Sequence, residues 1–185
     1  DVCSSNLISR CGGLGGVVAY ELAAAGVGRL IIAHGGDIRP SDLNRQLLMT
    51  RAGIGKSRIE SIRRRLLELN PDIDVVAVGE NVSEQNVAGL VSQADVVIDC
   101  APLFKERYLL NREIVRQRKP MVECAVNELE ANVMTILPGR TACLRCLYPE
   151  ESPDWRRRFP IFGAVSAFAG SLGDRKSTRL NSSHL

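Results

Sequence analysis

The sequence predicts a doubly wound α/β fold, in which helices cover both faces of a mostly parallel sheet. Short apolar stretches, such as residues 29–33 (RLIIA), alternate along the chain with helical patterns such as residues 56–69. Strands that are apolar throughout are typical of parallel sheets buried on both faces. The chain has 185 residues and is 45% hydrophobic, which is enough for one such domain with a sizeable core.

The N-terminal elements lead from a weak strand pattern into a glycine-rich loop. Serines and an asparagine make residues 2–9 (VCSSNLIS) a poor first strand, and the loop SRCGGLGG follows at residues 9–16. Residues 17–25 are good helix formers, and Gly26 suits the end of that helix. The apolar run at residues 29–33 is the next predicted strand.

The rest of the chain continues the alternation. Isoleucines and leucines at helical spacing predict a helix over residues 56–69, which Asn70 and Pro71 end. Further helices are predicted at residues 83–93 and 105–117, and further strands at residues 73–78, 95–100, 120–126 and 131–137. A ligand binds such a sheet at the carboxyl ends of its strands, so the loops after residues 8, 33 and 98 are the predicted places for a site.

Charge, hydropathy and cysteine usage exclude several classes of partner. The net charge of +3 is too weak to indicate nucleic acid or anionic membrane, and no stretch is long and apolar enough to span a bilayer. Four of the six cysteines are interpreted as small apolar fillers: Cys3, Cys11, Cys100 and Cys124. Because scattered cysteines do not form a disulfide framework, we expect a reducing cytoplasmic location.

Residues 174–185 (DRKSTRLNSSHL) differ abruptly in composition from the rest of the chain. They are polar and show no periodic pattern, and a common sequencing-adapter sequence can encode them. We therefore expect this segment to be a non-native tail and take no secondary structure from it. The predicted domain is residues 1–173, which we expect to be incomplete.

The glycine loop is the first candidate site. Gly12, Gly13 and Gly15 would let backbone N–H groups approach phosphates at the start of a helix, although a purely structural tight turn is the alternative. Arg10 stands where a nucleotide-binding loop normally has its first glycine. An arginine is sterically tolerable at this position only in an ordinary backbone conformation, and its side chain could crowd the turn.

Polar side chains in the segment SDLNRQLL (residues 41–48) form a second candidate. Three hydrogen-bonding residues follow one another: Asn44, Arg45 and Gln46. An arginine here can bind phosphate oxygens with its forked guanidinium, while Ser41 and Asp42 suit a helix N-cap. Lys56 follows two glycines at a predicted helix start, within reach of a phosphate, although a solvated lysine is the alternative.

Asp99 and a cysteine pair complete the candidates. Asp99 ends an apolar strand, where a carboxylate suits Mg²⁺, a ribose hydroxyl or a capping role. Cys143 and Cys146 form a CxxC motif, which is half of a tetrahedral zinc site. A redox dithiol and a chance pair remain alternatives for these cysteines.

Five motifs together resemble one family. They are GGLG at residues 12–15, SDLNRQ at 41–46, IGK at 54–56, VVIDCAP at 96–102 and CLRC at 143–146. In this order and spacing, from about residue 6 to residue 173, the chain resembles the HesA/MoeB/ThiF family of E1-like enzymes, and its HesA branch most. The resemblance implies a Rossmann-like fold and ATP- and Mg²⁺-dependent adenylation of the C-terminal Gly-Gly carboxylate of a ubiquitin-like sulfur carrier. It also implies a homodimer in the full-length protein.

The resemblance also implies roles for individual residues. The implied catalytic residues are Arg45, Lys56 and Asp99, and the implied nucleotide ligands are Gly12, Gly13, Gly15, Asn44, Arg45, Gln46 and Lys56. Asp99 would serve Mg²⁺, and Cys143 and Cys146 would supply the first half of a Zn²⁺ site. No general base is required, because the attacking carboxylate is already ionised.

Three departures from the family pattern keep alternatives open. Arg10 replaces the first glycine, His34 and Gly36 replace acids after the second strand, and no cysteine occurs at residues 156–162, where a sulfur-handling one is expected. A catalytically inactive, zinc-stabilised binding module of the same fold is therefore one alternative. An NAD-dependent dehydrogenase is another, although the acid expected about 20 residues after the glycine loop is absent.

Overall fold

The computed structural model describes residues 4–150 and 161–182, which form a six-stranded sheet flanked by helices. The strands are β1 (Ser5–Ser9), β2 (Arg29–Ala33), β3 (Asp74–Val78), β4 (Val96–Asp99), β5 (Met121–Asn127) and β6 (Glu130–Ile136). The helices are α1 (Gly13–Ala24), α2 (Arg58–Leu69), α3 (Val87–Ser92), α4 (Phe104–Gln117), α5 (Leu144–Leu147) and α6 (Gly163–Ser182). Two short 3-10 turns, Pro40–Asp42 and Arg51–Gly53, lie between β2 and α2.

The sheet has the order β3-β2-β1-β4-β5-β6. Strands β1 to β5 are parallel, and β6 pairs antiparallel with β5. The predicted doubly wound, mostly parallel fold is therefore confirmed. Because β1 lies between β2 and β4, the strand order reverses at β1, and ligands bind such sheets in the crevice at this point.

Strand β1 is central although its sequence is a poor strand pattern. Leu7 and Ile8 are fully buried and join the hydrophobic cores on opposite faces of the sheet. The Ser9 hydroxyl is also buried and donates a hydrogen bond of 2.9 Å to the Asp99 carboxylate on β4. A polar residue is tolerated in a central strand when a neighbouring strand supplies its partner, which single-sequence propensities do not reveal.

The two faces of the sheet carry separate apolar cores. Helices α1 and α2 bury Leu22 and Ile62 against one face, and α3 and α4 bury Val91 and Leu110 against the other. Three cysteines predicted to be fillers are buried and free: Cys11, Cys100 and Cys124. Cys3 lies outside the described residues. No helix of the described chain is long and apolar enough to cross a membrane.

Helix α6 extends through most of the segment predicted to be a non-native tail. Residues 174–182, from which no secondary structure was inferred, continue the helix to Ser182. Ser177 is fully buried, and its hydroxyl donates to the Gly173 carbonyl at 2.8 Å. Small residues recur at helical spacing along α6 and allow it to pack closely. A search for hydrophobic periodicity does not detect this pattern. That the segment is non-native stays a prediction.

Candidate nucleotide-binding site

A cavity of about 410 Å³ opens at the carboxyl ends of the central strands. The loop between β1 and α1 and the segment around Arg45 form one side. The residues after β4 and the β5–β6 hairpin form the other. The cavity therefore lies at the reversal of strand order, as the topology rule requires.

The glycine loop forms one wall of the cavity. Gly12 and Gly13 line it, and a side chain on Gly13 would place its Cβ 2.8 Å from Cγ of Arg45. A Cβ on Gly15 would lie 2.6 Å from the Arg10 carbonyl oxygen, so this glycine allows the loop to pack rather than to face the cavity. No side chain caps the N-terminus of α1. Its first amides therefore suit an anionic group.

Arg10 has a left-handed backbone conformation, with φ of 62°. The ordinary conformation that the sequence analysis set as the condition for an arginine here is not adopted. Its guanidinium instead leaves the turn and forms two hydrogen bonds with Glu106, from Nε to Oε2 at 2.7 Å and from Nη2 to Oε1 at 2.6 Å. This ion pair connects the glycine loop to the first turn of α4 across one edge of the cavity.

The segment that contains Asn44, Arg45 and Gln46 contributes two of its three predicted residues to the cavity. Arg45 and Gln46 line it, whereas Asn44 is exposed and lies outside its wall. The Asn44 Oδ1 atom accepts a hydrogen bond of 2.8 Å from Nη1 of Arg45 and so orients that guanidinium. Gln46 is buried, and its Nε2 donates to Oδ1 of Asp42 at 2.9 Å.

Lys56 is exposed and does not line the cavity, whereas Arg58 does. Arg58 donates from Nε and Nη2 to Oδ2 of Asp42, at 3.1 and 2.9 Å. Its guanidinium enters the wall from the first turn of α2. Sequence reasoning missed Arg58, because it stands inside a predicted helix where a basic residue usually faces solvent.

Four guanidinium groups line the cavity, and three of them are neutralised by carboxylates. Arg10 pairs with Glu106, Arg58 with Asp42, and Arg107 with Asp99 and Glu123. Among the residues that the structure describes, Arg45 is the member of this set without an ion pair. It therefore carries the positive charge that is available to an anionic ligand.

Asp99 lies behind the cavity wall rather than in it. It is fully buried and accepts hydrogen bonds from the Ser9 hydroxyl, the Ala101 amide and Arg107, at 2.9, 2.9 and 3.5 Å. Burial raises the pKa of the Asp99 carboxyl, although Arg107 opposes the rise. Asp99 is paired with Arg107 and does not line the cavity, so its Mg²⁺ role stays a prediction.

Glu123 is buried, as Asp99 is, but Glu123 lines the cavity. It faces Asp99 across the β4–β5 pair and accepts a hydrogen bond from Arg107. Burial raises the pKa of Glu123 to about 7 against the opposing effect of Arg107, and Asp99 adds to the rise. Carboxylate oxygens suit Mg²⁺, but Arg107 pairs with both carboxylates, and Glu123 differs from Asp99 in that it lines the cavity. Sequence reasoning missed Glu123 within an apolar strand.

The cysteine pair lies beside the cavity. Cys143 Sγ and Cys146 Sγ are 3.8 Å apart at the start of α5, and Asn111 Nδ2 lies 3.6 Å from the Cys143 sulfur. Although burial raises the pKa of Cys143, hydrogen bonds from the Cys146 amide and from Asn111 lower it below its usual range. Two adjacent thiols fit half of a tetrahedral zinc site. The described residues contain no group of three or more metal-binding side chains.

Comparison with known sequences places this architecture in a family. Residues 4–176 match the sequence profile of the ThiF family. The chain is a member of the ThiF family. It resembles protein HesA of Nostoc sp. (strain PCC 7120), with 47% identity over 175 residues that cover 94% of this chain and 69% of HesA. It is also 32% identical to the sulfur carrier protein ThiS adenylyltransferase of Escherichia coli K12, over 96% of this chain and 72% of that enzyme.

Solved structures share the fold of this ThiF-family chain. Escherichia coli MccB in complex with ATP superposes with a TM-score of 0.84 at 24% identity, covering 98% of this chain and 57% of MccB. At this identity the likeness establishes the fold alone. This chain spans between 63% and 69% of the HesA proteins that it matches and just over half of MccB.

Proposed function

We propose that this ThiF-family protein uses ATP and Mg²⁺ to adenylate the C-terminal glycine of a ubiquitin-like sulfur carrier. The observation that carries the proposal is the guanidinium of Arg45. It lines the cavity beside Gly13 of the uncapped α1 N-terminus and has no carboxylate partner among the described residues. A cation and free amides at one point suit a nucleoside triphosphate.

The reaction needs charge stabilisation rather than proton transfer. A carboxylate oxygen of the carrier attacks the α-phosphorus of ATP, a new P–O bond forms, and the bond to the bridging oxygen breaks to release pyrophosphate. The product is a mixed anhydride of the carrier and AMP. Arg45 and the loop amides would stabilise charge on the phosphoryl oxygens as the leaving group departs. Mg²⁺, when bound, would neutralise further phosphate charge, and the carboxylates that would hold it are Asp99, which the resemblance assigns to it, and Glu123, which lines the cavity.

The buried Asp42 holds the residues around Arg45 in position. Its carboxylate accepts hydrogen bonds from the Arg39 amide, Gln46 and Arg58, so it fixes the segment that carries Arg45. We assign to Arg58 the cavity position that the sequence suggested for Lys56. Arg58 stands in the wall and Lys56 does not. The assignment is tested by comparing variants of both residues.

The β5–β6 hairpin and the segment after α5 form the side from which the carrier tail would enter. Asn127, Asn132 and Tyr148 line this side of the cavity. Their side-chain amides and backbone groups suit an extended peptide such as a Gly-Gly tail. A zinc-stabilised CxxC segment, a homodimer in the full-length protein and a cytoplasmic location belong to the same proposal.

ATP–pyrophosphate exchange tests the proposed function. The protein is incubated with labelled pyrophosphate, ATP, Mg²⁺ and a ubiquitin-like carrier ending in Gly-Gly, with the same carrier lacking these glycines as the control. We expect exchange only with the complete carrier. Arg45→Ala should reduce it about a hundredfold, equivalent to about 3 kcal/mol.

Variants of Lys56 and Arg58 test which of these two basic residues belongs to the site. Lys56→Ala should leave exchange within about threefold of the parent, since Lys56 lies outside the cavity, whereas Arg58→Ala should reduce it strongly. Circular dichroism establishes that each variant is folded. Carrier-dependent exchange that survives Arg45→Ala would contradict the role of Arg45. The absence of exchange in the folded parent would favour a non-catalytic binding module of the same fold.

A further inference from the structure

Helix α5 is too short to be stable by itself. It has four residues, Leu144–Leu147, and a single helical turn does not persist in water without packing or capping contacts. The residue at its N-cap, Cys143, makes no side-chain capping hydrogen bond. The helix therefore depends on contacts from another element, and one face of α4 supplies them at both of its ends.

Asn111 on α4 satisfies the first amide of α5. Its Oδ1 atom accepts a hydrogen bond of 2.9 Å from the Leu144 N–H, and its Nδ2 lies 3.6 Å from Sγ of Cys143. Asn111 is 4% exposed, and the Leu144 side chain is buried in the apolar core that α4 also lines. Loss of the Oδ1 atom would leave a buried amide without its acceptor, which destabilises this end of α5.

Tyr108 holds the other end of α5. It precedes Asn111 by three residues, so both side chains lie on the same face of α4. The Tyr108 hydroxyl donates a hydrogen bond of 3.1 Å to the carbonyl of Tyr148, the residue that ends α5. The Arg145 guanidinium lies 3.6 Å from the centre of the Tyr108 ring, and the Phe104 ring lies 5.5 Å from the rings of both tyrosines.

The end of α5 forms part of the mouth of the cavity. Leu147 and Tyr148 line it and are still 55% and 41% exposed. They lie on the side that the β5–β6 hairpin forms, whereas Arg45 and the glycine loop form the opposite side. Apolar side chains that remain exposed beside a cavity are available to a ligand. A change in the position of α5 would therefore affect this side of the cavity and leave the phosphate side as it is.

We propose that Tyr108 and Asn111 are positioning residues for the carrier protein. By holding both ends of α5, they place Leu147 and Tyr148 where these side chains contact the carrier tail. The inference rests on the proposed function, since it takes the tail to enter between α5 and the β5–β6 hairpin. It assigns to α4 a role in carrier affinity that is separate from nucleotide binding.

The variant Tyr108→Phe tests this role because it removes the hydroxyl and keeps the aromatic ring. In the ATP–pyrophosphate exchange assay, the KM for the Gly-Gly-ended carrier should rise about fivefold, as expected for the loss of one hydrogen bond. The kcat and the KM for ATP should stay within about twofold of the parent. Tyr20→Phe is the matched control, since Tyr20 is exposed on α1 and does not line the cavity.

Substitution of Asn111 tests the other end of α5. Asn111→Leu should raise the KM for the carrier, whereas Asn111→Asp keeps an acceptor for the Leu144 amide and should recover most of the loss. Hydrogen exchange of the Leu144 amide, followed by NMR in the free protein, should be faster in Asn111→Leu than in the parent or in Asn111→Asp. Thermal unfolding shows whether each variant is folded, and Tyr108→Phe carries the test if Asn111→Leu is not.

The outcomes separate this inference from the proposed function. Carrier-dependent exchange with an unchanged KM for the carrier in Tyr108→Phe would overturn the positioning role and leave the proposed function intact. An equal rise in the KM for ATP would also overturn it, because the effect would then be a general loss of structure. Absence of exchange in the folded parent would overturn the proposed function and, with it, this inference.

Discussion

Arg10 shows at the scale of one residue how a side chain can hold a disfavoured backbone. Its left-handed conformation costs a non-glycine residue about 1–2 kcal/mol. The bidentate pair with Glu106 offsets this cost, and both partners are mostly buried. A glycine would adopt the same φ without strain but would leave the Glu106 carboxylate unpaired. The position therefore carries a tertiary contact between the glycine loop and α4.

The variant Arg10→Gly is expected to destabilise the protein. Relief of backbone strain is worth about 1 kcal/mol, whereas an unpaired buried carboxylate costs about 3 kcal/mol. The net loss should be about 2 kcal/mol in the free energy of unfolding, measured by urea denaturation.

The double variant Arg10→Gly/Glu106→Gln is the control for this prediction. Removing the unpaired charge should recover most of the lost stability, and the double-mutant cycle isolates the energy of the pair. A single variant as stable as the parent would show that the ion pair contributes nothing.

At the scale of a secondary-structure element, glycines decide how closely helices α1 and α6 pack. They approach closely because α6 has glycines at the contact. A Cβ on Gly170 would lie 2.7 Å from Cβ of Val17 and 2.8 Å from the Leu14 carbonyl oxygen. In α3, by contrast, a Cβ on Gly89 would meet no atom within 4 Å. The same residue type therefore serves packing in one helix and has no packing role in the other.

Alanine substitution at these two glycines should have opposite effects. Gly170→Ala is expected to lower the free energy of unfolding by about 1–3 kcal/mol, because backbone and side-chain atoms must shift. Gly89→Ala should raise it by about 0.5–1 kcal/mol, because alanine is the better helix former. Thermal unfolding of both variants measures the difference. A Gly170→Ala variant more stable than the parent would contradict the α1–α6 contact.

At the scale of the whole molecule, the CxxC segment packs against helix α4 beside the cavity. Asn111 on α4 binds both the Cys143 sulfur and the Leu144 amide, so the thiols are held in place by protein contacts. Arg145 stacks on the Tyr108 ring, 3.6 Å from its centroid. The segment therefore has a fixed geometry, although the described residues supply only two of the ligands that a tetrahedral metal site needs.

We predict that this 185-residue chain retains no stoichiometric zinc after dialysis against a mild chelator. Cys143 and Cys146 supply two of the four ligands that a structural tetrahedral site requires. His184, the remaining histidine, lies outside the described residues and within the predicted tail. Elemental analysis measures the zinc content, with Cys143→Ser/Cys146→Ser as the control. One zinc held per chain in the parent, and lost in the control, would show that the site is complete.

The order of elements follows from the sequence because apolar periodicity is local. Alternating apolar runs and helical patterns predict a parallel sheet with helices on both faces, and the structure confirms this fold. The five motifs also identify the family correctly. Helix α6 was not predicted from the sequence, because its buried face consists of small residues, which carry little hydrophobic signal.

The composition of the cavity wall was decided by tertiary structure. Arg58, Glu123 and Arg107 stand on separate elements, and nothing in their local patterns distinguishes them from surface charges or strand residues. The fold brings the ends of β1, β2, β4 and β5 to one edge of the sheet. The ion pairs of these residues form between elements and are therefore not recognisable in the sequence. The sequence thus determined the architecture, whereas long-range pairing determined that Arg45 has no ion-pair partner among the described residues and that Asp99 is paired with Arg107.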